Sequence, residues 1–227
     1  MTTRGKSASA WGVAARGEVR WPASMAVVLA VALYMTLPQR LTLGPVWLIP
    51  VLELALLLPL SIAAPRRVPG EPSWQRLTAI AIIAIINLAN FASLLLLIHG
   101  LLQKGGRTTG EQLLIGAVQI WVTNVIVFAL WYWELDRGGP DDRASEQHRE
   151  PDFLFPQMVT PAAALPGWCP AFLDYVYVSF TNSSAFSPTD TAPLTRWAKM
   201  LMTLQAFMSL VTVALVAARA VNILGSQ

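Results

Sequence analysis

Few residues of this chain are equipped for chemistry, and most of those sit in apolar surroundings. Glu53 follows Leu48-Ile49-Pro50-Val51-Leu52, midway along an apolar stretch. A carboxylate at bilayer depth is costly, about +2.5 to +3.5 kcal/mol for Asp on insertion scales. Glu53 must therefore be protonated, paired or open to water. It would serve either as a proton or cation relay or as a buried acid making one hydrogen bond. Asn87, Asn90, Gln119, Thr123 and Asn124, on other apolar stretches, are the polar groups able to meet it. Gln205, Ser209, Thr212 and Arg219 recur at spacings of four, three and seven, which puts them on one helical face. That face either lines an aqueous cavity or supplies interhelical hydrogen bonds, typically about 0.6 kcal/mol each. Arg219 lies near the helix end, where its side chain can snorkel.

Enzyme chemistry has no visible set of residues. The chain contains no Gly-x-Ser-x-Gly, phosphate loop, dinucleotide fingerprint or His-Glu-x-x-His. Cys169, the single cysteine, has no nearby histidine in sequence and reads as a small apolar interface residue. Asp141 and Asp142 are adjacent but fall in a polar segment where solvation accounts for them. Two histidines, His99 and His148, leave little for a zinc or haem site, so no metal and no cofactor is expected. The net charge is only +3 with no dense basic run, which argues against nucleic acid as a partner.

The elements that must position these residues are membrane elements. Hydrophobic residues make up 55% of the 227 and charged residues 13%, about half the share in a soluble domain. A span needs about 20 mostly apolar residues. Five stretches come near or meet this: Trp21–Leu37, which is a little short, Leu41–Ala64, Leu77–Leu102, Glu111–Trp133 and Leu194–Leu224. The expected fold is an all-α integral membrane protein with about five transmembrane helices, in a bacterial-type plasma membrane. Residues 1–20 form an uncleaved cytoplasmic tail and residues 21–135 a four-helix transmembrane region. Residues 136–167 form a linker whose polar first half is solvated and whose apolar, proline-rich second half, Phe153 to Pro166, lies at the membrane interface, and 168–227 form the last segment. Lipid bilayer is the expected partner.

The segment from Ala171 onward breaks the simple pattern. AFLDYVYVSFTN is too short to span as a helix and is followed by Ser183, Ser184, Ala185, Phe186, Ser187, Pro188, Thr189 and Asp190. A long apolar helix then begins near Leu194. Short helix, irregular segment and spanning helix make a re-entrant architecture, which survives at membrane depth only when buried in protein or lining a cavity.

Residues 171–224 resemble the pore module of the potassium-channel superfamily. The match lies in Tyr177, Ser179 and Phe180, with Asp190 eleven and Pro193 fourteen residues past Ser179, and Thr195 and Lys199 continuing the pattern. It covers about a quarter of the chain. The resemblance implies a pore loop over residues 183–190, with Gln205, Ser209 and Thr212 lining a cavity. It also implies monovalent cations as the transported species and assembly of identical subunits, often four. The selectivity filter is not retained: its positions are Ala185, Phe186, Ser187, Pro188 and Thr189, and no glycine occurs between Gly167 and Gly225. Pro188 fixes φ and removes an amide donor. This segment therefore cannot build a potassium filter from stacked carbonyls. The function expected is monovalent ion transport through a degenerate pore loop. The alternative is a non-conducting membrane scaffold or accessory subunit.

Charge sets the expected orientation. With the N-terminus inside and five spans, twelve Lys/Arg lie inside and four (Arg40, Lys104, Arg107, Arg219) outside. This count places 136–193 on the cytoplasmic side, whereas a potassium-channel pore loop enters from outside.

Overall fold

A computed structural model describes residues 18–63, 73–102, 110–144, 149–160, 162, 164–165, 168–184 and 190–224. Eight helices are described: α1 (Trp21–Met35), α2 (Leu48–Ala63), α3 (Ser73–Leu102), α4 (Gly110–Leu135), α5 (Pro140–Ala144), α6 (Pro156–Val159), α7 (Phe172–Ser184) and α8 (Arg196–Leu224). Two short strands, β1 (Phe153–Leu154) and β2 (Ala192–Pro193), pair antiparallel.

Three helices, against about five expected, are long and apolar enough to cross a bilayer: Trp74–Leu101, Glu111–Gly138 and Arg196–Ala218. The two earlier stretches form shorter helices, and local chemistry explains why. Pro22 occupies the first turn of α1, and the helix closes at Thr36, just before Pro38. Its 15 residues reach about 23 Å, short of the ~30 Å hydrocarbon core. The apolar run from Leu41 does not begin as a helix. Gly44 takes φ of 70° and Pro45 follows it, so Thr42–Trp47 turns and α2 starts only at Leu48.

α4 is the central helix. It packs against α1, α3, α7 and α8, and 67% of its span is buried, against 28% for α8. Val127, Phe128, Ala129 and Tyr132 are fully enclosed. The perimeter is apolar instead of polar. Met25 and Leu29 on α1, Val51 and Leu58 on α2, Leu88 and Leu95 on α3, and Met200, Phe207 and Leu210 on α8 all face outward. Exposed hydroxyls on these faces bond back into their own helix: Thr36 to Leu33 O, Thr78 to Trp74 O and Thr203 to Lys199 O. An outward apolar band whose hydroxyls need no water suits a lipid surrounding.

The chain order fixes which helix ends lie together. One cleft is lined by Ala23 and Val27 from the start of α1, Leu57 and Leu60 from the end of α2, Ala79 and Ile82 from the start of α3, and Leu130 and Trp133 from the end of α4. The first four helices therefore alternate in direction, and this end gathers Arg20, Arg76, Arg137 and Arg143.

Candidate functional site

In the segment expected to be re-entrant, the start of α7 and β2 lie at one end of the bundle and the end of α7 lies near its middle. At the beginning of α7, Phe172 stacks edge-on against Trp133, and the Tyr175 hydroxyl donates to Asp136 Oδ2 at 2.6 Å. Trp133 is in the last turn of α4 and Asp136 directly follows that helix. Thirteen residues of α7 then descend about 20 Å. At the bottom the Ser183 carbonyl accepts from Ser209 Oγ, and Trp121 Nε1 donates to Ser209 Oγ at 2.7 Å. Ser209 lies thirteen residues into α8, so Ser183 sits near mid-bundle. By Ala192 the chain is back at the first end, where β2 pairs with β1 and the Leu194 amide donates to the Asp152 carbonyl at 2.8 Å. Ala185, Phe186, Ser187, Pro188 and Thr189, the positions aligned with a filter, lie outside the described residues.

Gln205 holds α7 in place. Fully buried on α8, it accepts from Tyr132 Oη at 2.5 Å and Asn182 Nδ2 at 2.8 Å on its Oε1. Its Nε2 reaches the Ser179 carbonyl at 3.0 Å, Ser179 Oγ at 2.6 Å and Ser183 Oγ at 2.7 Å. Ser179 Oγ donates onward to the Val125 carbonyl at 2.6 Å, and Asn182 Nδ2 also donates to the Met202 carbonyl at 2.9 Å. Three helices thus meet at one amide. Of the residues expected to line a cavity, Gln205 and Ser209 face α7 and α4, and the Thr212 hydroxyl donates to the Met208 carbonyl on its own helix. All three are buried within the single chain. The Arg219 side chain lies outside the description.

Ser183 is buried and Ser184 half-buried, while Asp190 is exposed at the mouth and accepts from the Thr191 hydroxyl at 3.4 Å. Of the residues that carry the family resemblance, Ser179 is enclosed, whereas Tyr177 and Phe180 face outward from α7. Tyr132, Asn182 and Trp121 have site roles that the sequence pattern does not mark. Trp121 and Tyr132 sit in an apolar run whose helical face is ambiguous, and Asn182 is the last residue of the short helix read from AFLDYVYVSFTN, with no spacing to mark its face.

At the start of α7 lies an enclosed ionic cluster, which corrects the solvation expected of four residues in the polar half of the linker, while Arg149 and Glu150 are exposed. Asp136, Arg137, Arg143 and Asp152 are all buried. Arg143 donates to the Trp133 and Asp136 carbonyls at 2.8 and 2.9 Å, and pairs with Glu18 at 3.0 Å. Burial would lower the Arg143 pKa. The neighbouring acids Tyr175, Glu18 and Asp136 outweigh it and raise the pKa above its ordinary value. The Arg143 guanidinium also lies 5.3 Å from the Tyr175 ring centroid. Phe153 is fully enclosed among Tyr132, Tyr175 and Trp197 at centroid distances of 5.0, 6.4 and 6.0 Å. Alternating charge along 136–152 reads as solvated in one dimension. The structure pairs Arg143 with Glu18 from the far end of the chain and encloses Asp136, Arg137 and Asp152 beside the aromatic residues that follow them.

Glu53 stands apart from this assembly. It is 2% exposed, its electrostatic neighbour is Tyr34 on α1, and it meets no hydrogen-bond donor among the described residues. Gln119 donates instead to Thr36 Oγ1 at 2.8 Å, and Asn124 to the Gln205 carbonyl at 3.3 Å. No cluster of metal-ligating side chains occurs among the described residues.

The fold and site define a helical bundle with three span-length helices and a half-length helix inserted beside them. No known protein family, curated protein or solved structure matches the chain.

Proposed function

We propose that this is a multi-pass membrane protein of the pore-loop type, in which α7 and the return to β2 form a re-entrant element, and that assembled copies pass small monovalent ions. One observation carries the reading: Phe172 and Ala192 lie at the same end of the bundle while Ser183 lies near its middle. A helix that stops halfway places its C-terminal carbonyls, which attract cations, at mid-bundle. The order of half-helix, return segment and full helix is that of the potassium-channel pore module it resembles. Without the filter glycines, potassium selectivity is not expected.

The end at which α7 enters carries Arg20, Arg76, Arg137, Arg143, Arg149, Arg196 and Lys199. By the positive-inside rule that end is cytoplasmic, which inverts the loop relative to a potassium channel.

Purified protein in liposomes, with potassium, sodium or proton gradients read by fluorescent indicators, tests conduction. Flux above that of empty vesicles, reduced by Gln205→Leu, supports the reading. Absence of flux for all three ions, from protein shown to be folded and inserted, overturns it.

A second reading is a non-conducting scaffold or accessory subunit. It is favoured by the way Gln205 and Ser209 spend their polar groups on α7 and α4 within one chain. Co-purification with one specific membrane protein, together with inert vesicles, would establish it.

A further inference from the structure

Along the α3–α4 seam, several buried polar atoms meet no partner. Asn90, Ser93 and Asn124 are 3%, 0% and 1% exposed. Asn90 Nδ2, Ser93 Oγ and Asn124 Oδ1 are all enclosed and meet no partner. The helix register brings them to one level. Gly100 lies against Leu113 and, toward the other end, Ile83 shares a cleft with Leu130. Counting inward along the antiparallel pair from either contact puts Asn90 opposite Thr123–Asn124. Ser93 is one turn further along the same face of α3.

Buried polar groups are almost always hydrogen-bonded, and a cluster of unpaired ones marks a missing partner. The orphans are one amide donor, one amide acceptor and one hydroxyl able to do either. That set matches water, which donates and accepts and needs two to four polar partners. It does not match a cation. A bare cation would meet an amide N–H, and the buried carboxylate nearest in sequence, Glu134, lies ten residues past Asn124 at the end of α4.

We propose that the α3–α4 seam is a hydration site at mid-span, where ordered water bridges Asn90, Ser93 and Asn124. Water there gives the longest helix pair a polar, exchangeable joint in the bundle centre. The Asn124 amide, bonded to the Gln205 carbonyl at 3.3 Å, connects that joint to the hub that holds α7.

Water-edited solid-state NMR tests this on the full chain in bilayers with asparagine side chains labelled with nitrogen-15. The chain has five asparagines, Asn87, Asn90, Asn124, Asn182 and Asn222, so single substitutions assign each signal. The expected result is rapid transfer of magnetisation from water to Asn90 and Asn124 Nδ2, with most of the Asn90 transfer lost in Ser93→Ala. Asn124→Leu, where it folds, removes it as well. Dry signals at both residues, accompanied by a direct Asn90–Asn124 contact, would show that the amides bond each other and would overturn the proposal. Transfer at Asn90 unchanged in Ser93→Ala would remove Ser93 from the site and overturn it in the form stated.

Discussion

Asp136 and Asp152 hold each other's backbone. The Asp152 amide donates to Asp136 Oδ1 at 2.8 Å, and the Arg137 amide, one residue past Asp136, donates to Asp152 Oδ2 at 2.9 Å. The remaining oxygens reach outward: Asp136 Oδ2 accepts from Tyr175 on α7, and Asp152 Oδ1 accepts from Trp197 Nε1 on α8 at 2.8 Å. Two carboxylates thereby tie the end of α4 to the starts of both α7 and α8. α7 is anchored at its start here and at its end by Gln205.

Removing Asp152 should loosen that start. Asp152→Ala leaves the Arg137 amide and the Trp197 indole without acceptors in a closed site. Each orphaned group costs about 1–3 kcal/mol, so a loss of roughly 2–5 kcal/mol and a clearly lower unfolding midpoint in detergent micelles are expected. Trp197→Phe removes one donor and keeps the ring against Phe153, so its loss should be the smaller. Equal melting for Asp152→Ala and the parent chain would show that the reciprocal grip contributes nothing.

Gln205→Leu should free the end of α7. It strips partners from Tyr132, Asn182, Ser179 and Ser183 together. At about 0.6 kcal/mol per intramembrane bond, a total near 2–3 kcal/mol is expected. Ser209→Ala, which removes the hydroxyl between Trp121 and the Ser183 carbonyl, should cost about 1 kcal/mol. Thermal melting ranks the two, and hydrogen exchange in α7 should rise in Gln205→Leu before it rises in α3.

Part of this was legible in the residues alone. The apolar periodicity located α3, α4 and α8, because each run exceeds 20 residues without a break. The 4-3 spacing of Gln205, Ser209 and Thr212 showed that they share a face, and burial of that face follows from the cost of polar groups in lipid. What the face meets was not legible, because a shared face says nothing about the partner helix. The ionic cluster was hidden for a related reason. Glu18 and Arg143 are 125 positions apart, and charge alternation over 136–152 looks the same whether solvent or Phe153 covers it. The shortness of α1 was legible in Trp21–Leu37, but that of α2 was masked by hydropathy, which counts Gly44 and Pro45 as neutral although together they turn the chain.

Gly139 is a position where backbone conformation forces the residue type. Its φ is 110°, and an added Cβ would stand 3.0 Å from the Glu134 carbonyl oxygen, which is backbone and cannot swing away. Gly139→Ala should cost about 1–3 kcal/mol. Gly44 provides the control: its φ is 70°, but no heavy atom lies within 4 Å of an added Cβ. Gly44→Asn should melt within about 0.5 kcal/mol of the parent, because Asn tolerates the left-handed region. A Gly139→Ala variant that melts like Gly44→Asn would show that the 136–139 turn can relax.

Cys169 reports both the side and the environment of the α7 mouth. It is the only cysteine, is half-buried and lies three residues before α7. Burial raises the thiol pKa, and the nearby Glu18 carboxylate adds to the rise against the lowering pull of Arg143. Maleimide reacts with the thiolate. A raised pKa means a smaller thiolate fraction at neutral pH than in an ordinary thiol, so labelling should be slow near pH 7. It should keep accelerating, about tenfold per unit, past the pH at which an unperturbed thiol levels off. With a membrane-impermeant reagent, the proposed orientation, basic end toward the cytoplasm, predicts labelling only after the cells are permeabilised. Labelling in intact cells would instead place the α7 mouth outside, as in a potassium channel. The inverted orientation would then be abandoned, and the external solution would become the side from which ions enter the loop.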